Sequence, residues 1–106
     1  QPYRLLQALK NSDRLECAYR GSALVGLANA ISDGHLVVYY PHLLVLPDMQ
    51  GTGVGRALMQ RMAEHYKEFH QQTLLAVSEA AGFYRRIGFV ETDAVVPMWI
   101  YDGDDH

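Results

Sequence analysis

Cys17 is the only cysteine in the chain, so no internal disulfide can form, and a reducing, cytoplasmic setting is expected. It lies within Leu15-Glu16-Cys17-Ala18-Tyr19, a strand-like stretch, and reads as a small buried apolar residue rather than a nucleophile. No apolar run approaches the ~20 residues that a bilayer-crossing helix needs, and no signal peptide opens the chain, so no membrane partner is expected. Positive charge is scarce as well. Nine Lys and Arg face twelve Asp and Glu, a net charge of -3, with three acids clustered in Asp102-Gly103-Asp104-Asp105, which argues against a nucleic-acid partner. No metal centre is expected. The chain opens at Gln1 without a Met, as a trimmed or partial chain would.

What is present is an ordinary globular composition, 49% hydrophobic and 20% charged over 106 residues, which suits one domain spanning residues 1–106. Leu5, Leu6 and Leu9 fall at helical spacing and predict a short amphipathic helix over Pro2–Lys10. Strands are expected over 15–20 and 23–31 about a Gly21-Ser22 turn, and a long strand over 36–46 after the turn Ser32-Asp33-Gly34-His35. Pro41 interrupts that strand; lacking a ladder donor, it implies a bulge, an edge or a local parting of strands. A helix reaching to about residue 69 follows, with Val54, Leu58, Met62, Tyr66 and Phe69 as its sheet-facing stripe. A central parallel strand over 73–77, a helix over 79–87 with Gly88 as C-cap, and an antiparallel pair over 89–91 and 95–101 complete an α/β mixed sheet, with a frayed tail over 102–106.

The chemistry concentrates between the long strand and the long helix, in Leu46-Pro47-Asp48-Met49-Gln50-Gly51-Thr52-Gly53-Val54-Gly55-Arg56. Glycines at 51, 53 and 55 free the backbone and let a ligand approach main-chain N–H groups. The helix they feed begins with unpaired donors and roughly half a positive charge, so the junction is a candidate phosphate site. It is not a P-loop, because no Lys follows the glycines. Nor is it a dinucleotide fingerprint: a Gly-x-Gly-x-x-Gly run from Gly51 would place its third glycine where Arg56 stands.

Gln50-Gly51-Thr52-Gly53-Val54-Gly55-Arg56, preceded by Val45-Leu46-Pro47, resembles the coenzyme A pyrophosphate loop of the GCN5-related N-acetyltransferases (GNAT), whose signature is Arg or Gln, two residues, Gly, one residue, Gly or Ala. Ala81-Gly82-Phe83-Tyr84-Arg85-Arg86-Ile87-Gly88-Phe89 is similar to that family's late helix and strand, in the family's order. The resemblance covers nearly all of this chain and about three quarters of the usual fold, so the expected architecture is an acyl-CoA N-acyltransferase fold lacking its first strand and first helix. It implies acetyl transfer from acetyl-CoA to a primary amine on a small molecule or peptide.

The resemblance also implies roles. Backbone groups of Leu43, Leu44 and Val45 would bond the pantetheine arm, an N–H near Val45 would polarise the thioester carbonyl, and Gln50, Gly51, Thr52, Gly53, Val54, Gly55 and Arg56 would hold the pyrophosphate. Tyr84 would protonate the departing thiolate; an ordinary phenol, with a pKa of about 10, suits that task at neutral pH. Relatives often carry a Glu or His base on the long strand, on the face matched here by Tyr39 and Pro41. His42 is nearby, but strand alternation puts it opposite Tyr39 unless a bulge at Pro41 flips the register. Glu79 and His35 are lesser candidates, and proton removal through water is the default. Val77 replaces the Asn that the family carries seven residues before the tyrosine. With no clear base, a coenzyme A-binding module without catalysis stays open beside the enzyme. A homodimer is expected from a small sheet lacking a strand.

Overall fold

Helix α1 spans Pro2–Lys10, as its leucine spacing predicts. Two short polar side chains close it: Asn11 Nδ2 donates to Gln7 O at 2.8 Å and Ser12 Oγ to Ala8 O at 2.8 Å, serving carbonyls that the helix end leaves without partners. These residues belong to a computed structural model that describes residues 2–100. The chain divides into two compact units, Gln1–Leu74 and Leu75–His106.

The first unit is built on a four-stranded sheet in the order β1-β2-β3-β4, from β1 (Arg14–Arg20), β2 (Ala23–Ser32), β3 (Val37–Val45) and β4 (Gln71–Thr73). β1, β2 and β3 are antiparallel neighbours, and β4 runs parallel to β3. Gly21, with φ of 61°, makes the tight β1–β2 turn that its sequence implies. The β2–β3 turn is organised by Asp33, whose carboxylate accepts from the N–H groups of His35, Leu36 and Val37 at 3.0, 2.9 and 3.2 Å. Those donors hold its acid form down to about 2.

Pro41 does mark a bulge. Asn29 pairs with His42 and Ile31 with Tyr39, so two steps on β2 oppose three on β3. The expectation that His42 faces away from Tyr39 is therefore corrected. Their partners Asn29 and Ile31 are two apart and share a face, so the extra residue brings His42 and Tyr39 onto one face.

Helix α2 (Val54–His65) covers the other face. Leu58, Met59, Met62 and Tyr66 are buried with Ala28, Ala30, Val38 and Tyr40, a core of the first unit in which small residues on β2 let the helix lie close. The helix ends at His65 rather than near residue 69. Tighter bonds, Lys67 N to Glu64 O at 3.4 Å and Phe69 N to Tyr66 O at 2.9 Å, replace the regular ladder and keep the Phe69 ring edge-on to Tyr66. Tyr66 donates to Asp13 and Tyr40 to Gln72, and burial raises both phenols.

The parallel strand is not central but last in this sheet, and it covers Gln71–Thr73 rather than residues 73–77. Gln72 Nε2 reaches Ala63 O and Tyr66 O, both at 3.3 Å, which ties β4 to the end of α2. Its pairing with β3 stops at Tyr39 and Thr73, where the bulge and Pro41 break the rail.

In the second unit a 3₁₀ turn over Ser78–Ala80 leads into α3 (Ala81–Arg86), shorter than the helix expected over 79–87. Gly88, at φ of 108°, ends it as expected: Phe89 N bonds Tyr84 O at 3.1 Å and Gly88 N bonds Arg85 O at 3.1 Å, the two bonds of a Schellman motif. The expected strands over 89–91 and 95–101 are not formed in the described residues. Val90 is 86% exposed, and Val95, Val96, Met98 and Ile100 are exposed too, so these apolar residues have no packed face to pin a pairing register. Tyr101 and the tail over 102–106 lie outside the described residues.

Glu16, 7% exposed on β1, accepts from Arg14 Nε at 2.7 Å and Arg61 Nε on α2 at 2.8 Å. Burial pushes its pKa up, but the hydrogen bonds and charges of Arg61 and Arg14 outweigh that and lower it overall. Its contribution is therefore present above the ordinary glutamate value of about 4.3 and is lost as pH falls through the lower folded value. Glu16→Gln is expected to destabilise the protein by about 1–3 kcal/mol at pH 7. In urea melts, the gap to wild type should close below about pH 4; a gap constant with pH would contradict the ion-pair account.

Candidate active site

Pro47 stops β3 after Val45 and begins a 3₁₀ turn over Pro47–Met49, closed by Met49 N to Leu46 O at 2.9 Å and Gln50 N to Pro47 O at 3.4 Å. Thr52 returns to the same turn, its N–H and hydroxyl both donating to Met49 O. Gly51 and Gly53 adopt φ of 81° and 94°, a region disfavoured for side-chain-bearing residues, and a Cβ at either would meet nothing within 4 Å. The loop thus presents bare backbone to open space.

Gly53 is the N-cap of α2 and supplies no side chain to bond the first turn. The first regular bond is Ala57 N to Gly53 O at 3.0 Å, so the N–H groups of Val54, Gly55 and Arg56 have no partner within the helix. No acid occupies that turn, whereas Arg56 adds an exposed cation. The dipole end, the free donors and the arginine all favour an anion.

Beside this turn runs the free edge of β3. Leu46 N bonds Val25 O at 3.0 Å, which sets the alternation of the antiparallel ladder: Leu44 and His42 bond across to Leu27 and Asn29, while Leu43 and Val45 turn their backbone groups away from β2. Since β4 pairs only as far as Tyr39, no strand is paired with Leu43 and Val45 on that side among the described residues. Gln50 Nε2 donates to Val45 O at 3.2 Å and links the glycine loop to this edge. The expectation for Leu44 is corrected: its main chain serves β2, and only its neighbours on either side can offer backbone to a ligand.

The first unit therefore brings Leu43, Val45, Gln50, Gly51, Thr52, Gly53, Val54, Gly55 and Arg56 together. Tyr84 belongs to the second unit, in the middle of α3, with its ring edge-on to Phe83 at 5.0 Å and to Phe89 at 6.0 Å between centroids. Burial raises its phenol above the ordinary value, so it stays protonated at neutral pH. Glu79 sits exposed in the 3₁₀ turn before α3, and His35 is exposed in the β2–β3 turn. His42 is half-buried on β3, with Nδ1 3.3 Å from Asn29 Oδ1. Asn29, 1% exposed, is the residue that sequence reasoning passed over; the signal was a lone amide inside the apolar run of β2.

Comparison with known proteins bears on the family and the fold. Residues 2–98 match the family model described as "Acetyltransferase (GNAT) domain", a match that runs through both units. The uncharacterised N-acetyltransferase ycf52 of Pyropia yezoensis is 31% identical over 101 residues, covering 89% of this chain and 58% of that protein. The chloroplastic serotonin N-acetyltransferase 2 of Oryza sativa is 35% identical over 108 residues, covering 95% of this chain and 54% of that protein. Among solved structures, a GNAT family acetyltransferase from Streptococcus pneumoniae superposes with a TM-score of 0.84 at 34% identity, covering 95% of this chain and 80% of that one. The chain spans about half the length of the curated relatives it matches. With the glycine loop, the free edge of β3 and these likenesses together, the chain belongs to the GNAT family of acetyltransferases.

Proposed function

We propose that this chain is the donor-binding and catalytic part of an N-acetyltransferase, moving the acetyl group of acetyl-CoA to a primary amine by direct transfer with no covalent enzyme intermediate. The observation that carries the reading is the pairing of two bare backbone surfaces in the first unit: unbonded amides at the start of α2 and the unpaired edge of β3, tied together by Gln50.

In this reading the amides of Gly51 and of residues 53–56, with the Arg56 side chain, take the diphosphate of the coenzyme, the Thr52 amide being already bonded to Met49 O, and the pantetheine arm lies along Leu43 and Val45 as an added strand. The Val45 N–H polarises the thioester carbonyl; loss of such a donor costs on the order of 3 kcal/mol in other acyl-transfer enzymes. Tyr84 supplies a proton to the departing thiolate. The acceptor is an amine on a small molecule or a peptide, in keeping with the serotonin that the rice relative's name carries. Residues 1–106 act as one domain, and a second copy of the chain is the expected partner. The chloroplast of that relative's name stands beside the cytoplasm as its place of work.

Acetyl-CoA at a hundredfold excess over its Kd should stabilise the protein by about 2.7 kcal/mol, a rise of several degrees in Tm, and thiol should be released with at least one of a panel of amines, polyamines and peptides. Stabilisation with no turnover on any acceptor would contradict the enzyme reading in favour of a coenzyme-binding module. Gly53→Val, which puts a side chain on the approach surface and strains a residue at φ of 94°, should weaken acetyl-CoA binding at least tenfold, about 1.4 kcal/mol, in a variant whose circular dichroism is unchanged. Tyr84→Phe should lower turnover roughly 100-fold with little change in coenzyme affinity. An unchanged turnover number would remove Tyr84 from its role.

A further inference from the structure

The polar chain that starts at the end of α1 plays no part in donor binding, yet it is fully bonded at its buried centre. Ser12 Oγ lies 2.8 Å from Ala8 O, Asn29 Nδ2 lies 2.9 Å from Ser12 Oγ, and Asn29 Oδ1 lies 3.3 Å from His42 Nδ1. A carbonyl oxygen carries no hydrogen, so the proton between Ser12 and Ala8 is the serine's own. Ser12 can then only accept from Asn29, which points the amide NH₂ at Ser12 and the amide oxygen at His42. An oxygen facing Nδ1 requires that Nδ1 carry the proton, and in a neutral imidazole the lone pair then sits on Nε2.

The placement of His42 gives that lone pair a use. The bulge at Tyr40 and Pro41 turns the ring onto the face of Tyr39, just beyond the point where β4 leaves β3 and just before the free edge at Leu43 and Val45. Without the extra residue the side chain would face α2. The other ionisable groups of the surrounding elements are Tyr39, Cys17 and the exposed Tyr19 on the same sheet face, and Tyr3, Arg4 and Lys10, all exposed, on α1. Glu16 is engaged by Arg14 and Arg61, and Asp13 by Tyr66.

We propose that Ser12 and Asn29 are positioning residues that hold His42 as the Nδ1–H tautomer, leaving Nε2 to accept the proton of the incoming amine. The proposal rests on the acetyltransferase reading above. An ammonium group gives one proton to Nε2, and the freed nitrogen lone pair forms the bond to the acetyl carbonyl carbon as the carbon–sulfur bond breaks. The second nitrogen proton balances the one taken up by the thiolate. The products are amide and thiol, with one proton passing from His42 to water.

The test reads the tautomer directly. In uniformly ¹⁵N-labelled protein at about pH 8, where histidine is ordinarily neutral, imidazole nitrogen correlations assigned through His42→Gln should show the Nδ1–H form. Ser12→Ala, which frees the amide of Asn29 to rotate, should mix the two tautomers, and Ser12→Thr should restore the single form. A wild-type His42 found mainly as Nε2–H overturns the proposal. Thiol release from acetyl-CoA with serotonin as the amine should show an acidic limb in its pH profile that is lost in His42→Gln, while that variant keeps the acetyl-CoA thermal shift. A retained shift with the limb unaltered sinks this inference alone. No shift in the wild type sinks the acetyltransferase reading and this inference with it.

Discussion

The seat of α2 on β2 is the constraint on which the site depends. A Cβ at Gly26 would stand 2.9 Å from Val54 Cγ1 and 3.2 Å from Leu58 Cδ1, so the first turn of the helix rests on bare strand backbone. Gly26 pairs with Val45, which places the start of the helix at the level where β3 offers its free edge. Burial of Leu58, Met59, Met62 and Tyr66, at about 1.5–3 kcal/mol for each large apolar side chain, holds the helix there. Main-chain donors cannot be repositioned by rotamer changes. Their aim is fixed by the packing behind them.

A second constraint opens the edge. Pro41 supplies no N–H, the bulge shifts the rail of β3 by one residue, and β4 stays paired over only three residues before it leaves. A regular strand at this place would carry the ladder on and consume the backbone groups of Leu43 and Val45. The same extra residue turns His42 from the helix side of the sheet to the side of Tyr39. One local irregularity thus both leaves Leu43 and Val45 without a paired strand on that side among the described residues and sets His42 on the face of Tyr39.

Much of this could be read from the residues. Leucine spacing gave α1 its full extent, Gly21 its turn, Gly88 its left-handed cap, and Pro41 its bulge, because each is a local requirement of backbone chemistry. The glycine loop was legible for the same reason. Non-local features were not. The apolar residues 74–77 and 89–100 carry strand composition, but composition cannot say whether a neighbour is present to pair with them. The face of His42 depended on where the extra residue falls, and the hydrogen bonding of Asn29 depended on Ser12, seventeen positions away. Leu44 seemed equivalent to its neighbours until the Leu46–Val25 bond fixed the alternation.

That alternation gives the central claim its most direct test, a titration of ¹⁵N-labelled protein with coenzyme A followed through backbone amide resonances. The account predicts the largest shifts at Gly51, at Gly53 to Arg56 and at Leu43 and Val45, with the Leu44 amide, already bonded to β2, moving much less. Shifts that leave the glycine loop untouched, or that move Leu44 as much as the residues on either side of it, would contradict the account.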